Sequence, residues 1–130
     1  MLGLVASLAL SMTPLHTLDL RRAATNGNLS AIKHILATVS LEDLDLDSAL
    51  RLSAGFCRVD IMAVLIEHGA TDLDGALYHA SCRDKIQAVR YLILDERESP
   101  ATDFDLAIMG ASNHLAFDTE FFLLTTQRHP

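Results

Sequence analysis

The sequence predicts an all-α protein, a helix-turn-helix repeat solenoid of about four stacked repeats. Half of its 130 residues are apolar, which is enough for a folded core. Aromatic residues make up only 5 % and Trp is absent. Leu and Ala dominate the apolar set, and these side chains favour helices over a β-sandwich. The third observation is an internal repeat, which decides the architecture.

The repeat is marked by pairs of small residues that recur at intervals of 27 to 31 residues. Each pair lies one helical turn after a branched aliphatic residue. Three residues before that aliphatic residue stands a residue with a side-chain oxygen, which is the predicted N-cap of a first helix. The pairs are Ala23-Ala24, Ser53-Ala54, Ala80-Ser81 and Ala111-Ser112, and the predicted N-caps are Thr17, Asp47, Asp74 and Asp105.

A second helix follows each pair, because apolar residues recur downstream on one 3.6-residue period. Two apolar residues in the same register close each stripe: Ile35-Leu36, Leu65-Ile66, Leu92-Ile93 and Leu123-Leu124. Glu120 alone breaks the stripe, where the other units have Ile32, Met62 and Val89. Small residues in the pair allow the two antiparallel helices of a unit to approach closely. The sequence therefore predicts helix, tight turn, helix in every unit.

This frame resembles the ankyrin repeat over residues 17 to about 125. The unit Ser48 to Asp72 matches best, since its segment Val59 to Ala70 looks like the second helix and closing Gly-Ala turn of that family. Gly27 stands where the family has its inter-helix glycine. Its counterparts are Cys57, Asp84 and Leu115, so three turns lack the residue that adopts a positive φ without strain.

The chain divides into an apolar N-terminal segment or cap, 1–16, and an ankyrin-like repeat domain, 17–130. The units lie near 17–46, 47–73, 74–104 and 105–126. The opening Met1 to Leu10 is apolar but lacks the basic start of a secretory signal, and it is too short to span a bilayer. A helix that caps the first unit is the preferred interpretation, with a targeting segment as the alternative.

Charge and cysteine content restrict the partner and the compartment. A formal charge of −7 argues against nucleic acid, because binding to phosphates depends on Lys and Arg. Two cysteines are too few for a disulfide framework, which suggests a reducing, cytoplasmic location. Secretion through the apolar N-terminus is the weaker alternative. No membrane partner is expected, and we expect a monomer.

The resemblance implies a binding surface on the concave side, formed by the connecting loops and the exposed sides of the first helices. The predicted partner-binding residues that follow the small pairs are Thr25, Asn26, Phe56, Arg83, Asn113 and His114. Phe56 is the preferred anchor, since a large apolar side chain between polar neighbours buries well against a partner. The alternative is that Phe56 packs under a neighbouring loop.

The loops before the first helices are acidic, and Asp45, Asp72 and Asp103 are predicted to line up along one edge. Such an edge attracts a partner with a basic surface in a salt-dependent way. The alternative is that Asp47, Asp74 and Asp105 cap helices and the other carboxylates are solvated loop charges.

Catalysis is not predicted. His79 and Cys82 lie one helical turn apart, but a structural zinc site needs four ligands and no second close pair exists. Cys57 and His68 lack an orienting third group, so no nucleophile is predicted, and no cofactor motif is present. The expected function is a protein-protein interaction module; the alternative is a structural fragment that packs on a larger protein or self-associates.

Overall fold

The computed structural model describes residues 19–93 and 103–127, and these residues are all-helical, without a strand. The predicted N-terminal segment and the predicted cap Thr17 lie outside the described residues. The helices are α1 (19–26), α2 (Leu29–Thr38), α3 (Leu46–Gly55), α4 (Val59–Glu67), α5 (Leu73–Cys82), α6 (Ile86–Ile93), α7 (Phe104–Asn113) and α8 (Phe117–Gln127), with a 3-10 turn at Leu41–Asp43. Successive helices pair as α1/α2, α3/α4, α5/α6 and α7/α8.

The same tight turn joins the two helices of every pair. In each turn one residue adopts a left-handed conformation: Gly27 (φ 74°), Cys57 (φ 59°), Asp84 (φ 57°) and Leu115 (φ 59°). The next N–H donates to the carbonyl of the first residue of the small pair: Asn28 to Ala23 (2.9 Å), Arg58 to Ser53 (2.7 Å), Lys85 to Ala80 (2.9 Å) and Ala116 to Ala111 (2.8 Å). This bond closes a Schellman motif, which ends the first helix in all four hairpins.

The first helices form the most closely packed layer. α3 packs along α5, and α5 packs along α7. Small side chains permit the approach: a Cβ built on Gly110 of α7 would lie 2.7 Å from the Tyr78 ring and 2.8 Å from the Cys82 sulfur, both on α5. The second helices contact one another over fewer residues. The first helices therefore form the more closely packed of the two helix layers.

The second helices contribute the large core side chains. Ile32, Met62 and Val89, at one register of α2, α4 and α6, are fully buried. Leu65, Leu92 and Leu123, three residues further on in their units, are fully buried as well. At the register of Val89, α8 has the half-buried Glu120. Burial of a Leu, Ile or Met side chain stabilises the fold by roughly 1.5–3 kcal/mol each.

Three of the four predicted N-caps, Asp47, Asp74 and Asp105, were wrong by two residues. The caps are Asp45 of α3, Asp72 of α5 and Asp103 of α7. Each carboxylate Oδ1 accepts the backbone N–H of the residue three positions later. The N–O distances are 3.0 Å for Ser48, 3.0 Å for Gly75 and 3.2 Å for Leu106. Asp47, Asp74 and Asp105 lie inside the first turn of each helix, where the sequence frame alone did not distinguish an interior acidic residue from a cap.

Two of those interior aspartates link neighbouring hairpins instead. Asp47 Oδ1 accepts the backbone N–H groups of Thr71 (2.7 Å) and Asp72 (3.1 Å) in the loop before α5. Asp74 Oδ1 accepts the N–H of Asp103 (3.0 Å) before α7 in the same way. Each carboxylate therefore fixes the start of the next first helix relative to its own.

Removal of the Asp47 carboxylate is expected to destabilise the fold. Asp47→Ala leaves two backbone donors without their acceptor, at a cost of about 1–2 kcal/mol in the free energy of unfolding. Urea denaturation followed by circular dichroism measures the loss. Glu67→Ala, which removes an exposed carboxylate from α4, is the control and should change the value by less than about 0.5 kcal/mol. Equal effects of the two substitutions would contradict the linking role of Asp47.

The left-handed turns give a second prediction. Left-handed backbone costs a non-glycine residue roughly 1–2 kcal/mol, and Gly avoids that cost. Leu115 is 69 % exposed, so Leu115→Gly loses little packing and should stabilise the protein by about 0.5–1 kcal/mol.

Asp84 provides the matched contrast, because its Oδ1 accepts both the N–H (3.1 Å) and the hydroxyl (2.7 Å) of the fully buried Thr119. Asp84→Gly relieves the same backbone strain but leaves these donors without an acceptor, for a net loss of about 1–2 kcal/mol. Both free energies come from urea denaturation. Destabilisation by Leu115→Gly would show that the turn is not left-handed there.

Candidate partner-binding surface

The predicted residues after the small pairs lie at the carboxyl ends of the first helices. Phe56, Arg83 and His114 are the C-cap residues of α3, α5 and α7. Asn26, Arg83, Asn113 and His114 are exposed, whereas Thr25 and Phe56 are half-buried. These side chains follow one edge of the first-helix layer.

The structure brings Phe56 and Arg83 into contact. The Arg83 guanidinium carbon lies 4.8 Å from the centre of the Phe56 ring, a cation-π distance. The Arg83 stem also crosses the preceding hairpin at Gly55, where a built Cβ would lie 3.2 Å from Arg83 Cδ. Phe56 is therefore partly covered by the neighbouring hairpin, as the alternative interpretation expected. The exposed part is a composite of an aromatic ring and a guanidinium group.

Arg51 and His79 lie beside this pair, and sequence reasoning did not assign either to the surface. Arg51 of α3 forms an ion pair with Asp72, the N-cap of α5, with 2.7 Å between Nη1 and Oδ2. Because both side chains are about one-third exposed (33 % and 37 %), the pair contributes little stability but fixes the Asp72 carboxylate. Arg51 is one turn after Asp47, which contacts the same loop.

The pKa of His79 is lowered from its ordinary value of 6.5, chiefly because partial burial disfavours the imidazolium. The positive charges of Arg51 and Arg83 lower it further, and Asp72 acts in the opposite direction. His79 is therefore neutral at pH 7 and provides a hydrogen-bonding ring between two arginines. Phe56, Arg51, Asp72, His79 and Arg83 form what we call the central cluster.

The predicted acidic edge also has a structural role. Asp45, Asp72 and Asp103 cap helices through one carboxylate oxygen each. Asp45 and Asp103 remain exposed, and Asp72 is half-buried. Asp45 and Asp103 therefore still present exposed carboxylates beside the first helices as an acidic border, whereas the Asp72 carboxylate between them is paired with Arg51.

An arginine of the second hairpin contacts the turn of the first. Arg58 precedes α4 and lies against Gly27, where a built Cβ would be 2.9 Å from the guanidinium carbon. Arg58 Nη2 donates to the carbonyl of Thr25 at 3.4 Å, at the carboxyl end of α1. The Thr25 hydroxyl donates to the Arg21 carbonyl at 2.9 Å. The polar atoms of Thr25 are therefore used within the fold.

At the other end of the edge, His114 Nδ1 lies 2.9 Å from the Gly110 carbonyl oxygen. Asn113 and His114 share the register of Phe56 and Arg83 on the following first helix. Of the predicted residues, the structure thus brings together Phe56, Arg83 and Asp72. Asn26 borders a separate shallow groove on the first hairpin with Asp19, Arg22 and Asn28.

In the described ranges, no three His, Cys, Asp or Glu side chains lie close enough together to hold a metal ion. Cys57 and Cys82 are half-buried free thiols. A hydrogen bond with the Cys82 thiol raises the pKa of Tyr78, so the phenol remains protonated.

Comparisons of the chain with protein-family models, with curated proteins and with solved structures found no match. Within residues 19–93 and 103–127, no helix has the length and apolar character needed to cross a membrane.

Protonation of His79 is expected to weaken the fold. Since its pKa is lower in the folded than in the unfolded chain, the unfolded chain binds the proton first as the pH falls below about 6.5. The stability contributed by neutral His79 is therefore present above pH 6.5 and is lost as the pH falls toward the folded-state pKa.

Urea denaturation at pH 7.5 and pH 5.5 tests this. The wild type should lose more unfolding free energy between these pH values than His79→Gln, in which a neutral side chain replaces the ring. His68→Gln changes an exposed histidine on the α4 side and is the matched control. An identical pH dependence in wild type and His79→Gln would show that the fold does not lower the pKa of His79.

Proposed function

We propose that this chain is a non-catalytic protein-protein interaction module: an ankyrin-like solenoid that binds a partner protein on the concave, first-helix side. One observation carries the proposal. All four turns share the left-handed residue and the closing hydrogen bond, although only the first has a glycine. Equivalent hairpins that contact mainly their neighbours are the basis of solenoid architecture, and such stacks present extended binding surfaces.

The central cluster supports a protein as the ligand. Arginine and aromatic side chains are enriched among residues that dominate binding energy at protein interfaces. Arg83 stacked on Phe56 provides a pre-ordered contact, because the neighbouring hairpin already restricts both side chains. A protein partner that contacts both the ring and the guanidinium group gains affinity without ordering them.

The acidic border supports a partner with a basic surface. Asp45, Asp72 and Asp103 are held at fixed positions by their capping bonds. Long-range attraction from a fixed row of carboxylates raises the association rate and makes it sensitive to salt. We propose a cytoplasmic monomer without cofactor, nucleic acid or membrane partner.

Binding at the central cluster is tested by affinity capture from cell lysate with the wild type and two arginine variants. Arg83→Ala removes the cation over Phe56 on the first-helix side, and captured partner should fall by about tenfold. Arg90→Ala is the matched control, because Arg90 lies 5.2 Å from the Phe122 ring on the second-helix side. Equal loss in both variants, or retention in Arg83→Ala, would contradict binding at this cluster.

The acidic border is tested separately by changing Asp45 and Asp103 together to Asn, with Asp72 left unchanged because it also belongs to the central cluster. Asn caps helices about as well as Asp, so the charge is lost while the caps remain. The association rate of the captured partner, measured by surface plasmon resonance, should fall and lose most of its salt dependence. An unchanged rate would exclude electrostatic attraction by this border.

A further inference from the structure

The last hairpin, α7/α8, exposes most of the large apolar side chains on the described surface. Six of the seven exposed large hydrophobic residues belong to it: Leu106 (37 %), Met109 (53 %), Leu115 (69 %), Phe117 (64 %), Phe121 (71 %) and Leu124 (38 %). The seventh is Leu41 (40 %). This concentration distinguishes the α7/α8 hairpin from the rest of the described surface.

The same registers face the next hairpin wherever one follows in the described chain. Tyr78, the counterpart of Met109, packs against Gly110 of α7. Asp84, the counterpart of Leu115, accepts hydrogen bonds from Thr119 of α8. Arg90, the counterpart of Phe121, lies over the Phe122 ring. The exposed residues of α7 and α8 therefore occupy positions that elsewhere form helix-helix interfaces, and we call this surface the end face.

Two polar residues of this hairpin, Ser112 and Glu120, show that the end face is open to solvent. Ser81 of α5 is fully buried, whereas its counterpart Ser112 of α7 is exposed. Val89 of α6 is fully buried, whereas its counterpart Glu120 of α8 is half-buried. Positions that are core between hairpins are thus open to solvent here.

Glu120 lies within the apolar stripe of α8. Phe117, Glu120, Phe121 and Leu124 have the spacing i, i+3, i+4, i+7, which places them on one helix face. A carboxylate in such a stripe is costly to cover with an apolar partner and is compensated by a cation. The end face therefore selects a ligand with a positive charge among apolar side chains.

The charged side chains of the hairpin itself are all acidic. Residues 103–127 contain no Lys or Arg, and their acidic side chains are Asp103, Asp105, Asp118 and Glu120. One cation borders the stripe, since Arg90 of α6 lies 5.2 Å from the Phe122 ring and lines a groove with Phe121 and Asp118. The end face is thus an apolar surface on which acidic side chains outnumber basic ones. This combination complements an amphipathic helix whose apolar side is flanked by Lys or Arg.

The size of the surface fits a single helix or hairpin. From the exposed fractions, the six residues expose roughly 600 Å², at the upper end of functional patches on monomers. Charge rather than area disfavours a second copy, since pairing with the same face would oppose Glu120 to Glu120.

We infer that the end face docks an amphipathic helix of another protein, with apolar side chains against Met109, Leu115, Phe117 and Phe121 and a Lys or Arg at Glu120. This interaction is independent of the central cluster on the first-helix side. It uses helix-on-helix contacts of the kind that already join α5 to α7.

The test uses two synthetic peptides as probes, each a helix of about five turns with the same leucine stripe. One carries Lys beside the stripe and the other carries Glu. Fluorescence anisotropy should show that the wild type binds the Lys peptide at least about tenfold more tightly than the Glu peptide. Phe121→Ser should weaken binding of the Lys peptide about tenfold, and Glu120→Lys should reverse the preference between the peptides.

Matched controls separate the end face from general charge and hydrophobicity. Glu67→Lys makes the same change of charge on α4, and Leu41→Ser removes an exposed apolar side chain from the 3-10 turn; neither should alter the preference. Arg83→Ala should also leave peptide binding unchanged, which distinguishes this inference from the proposed function. Circular dichroism checks that the helix content of each variant equals that of the wild type.

Three results would overturn the inference. Equal effects of Glu120→Lys and Glu67→Lys would mean that net charge alone attracts the Lys peptide. Equal effects of Phe121→Ser and Leu41→Ser would mean that the end face is not the contact. A wild-type dimer in analytical ultracentrifugation that Phe121→Ser dissociates would assign the face to a second copy of this chain.

Discussion

The structure depends on one hydrogen bond made four times, from the residue after the left-handed position to the first residue of the small pair. This bond ends each first helix and reverses the chain, so that the second helix returns along the first. Cys57, Asp84 and Leu115 adopt the left-handed conformation despite its cost. The small pair therefore has two roles. The carbonyl of its first residue accepts the hydrogen bond, and its small side chains allow the two helices to approach closely.

Much of this fold could be predicted from the sequence because its determinants are local. The small pairs and the apolar stripes set the helix pairs and the buried residues, as Met62 and Leu92 show. The N-caps were misplaced because two aspartates lie at nearly equivalent positions in each loop. The contacts of Asp47 and Asp74 with the next hairpin distinguish them, and these contacts span more than twenty residues of sequence.

The sequence predicted which positions belong to the candidate surface, but not the contacts between their side chains. Spacing placed Phe56 and Arg83 at equivalent turns, but it did not show that Arg83 reaches back over Phe56. Arg51 was missed because its role arises from Asp72 on the next hairpin. His79 was missed because its lowered pKa arises chiefly from desolvation in the folded chain and then from Arg51 on the preceding hairpin. The sequence showed Glu120 as the one polar residue in an apolar stripe. The structure adds that its neighbours Phe117, Phe121 and Leu124 are exposed, so Glu120 lies in an apolar surface.

The equivalence of the four hairpins is tested most directly by NMR of the turn residues. A positive φ brings the amide and α protons of one residue close together, so Cys57, Asp84 and Leu115 should each give a strong intraresidue NOE between these protons, as neighbouring helical residues do not. Weak NOEs, typical of right-handed backbone, at any of the three would show that the turns differ, and would contradict a stack of equivalent units.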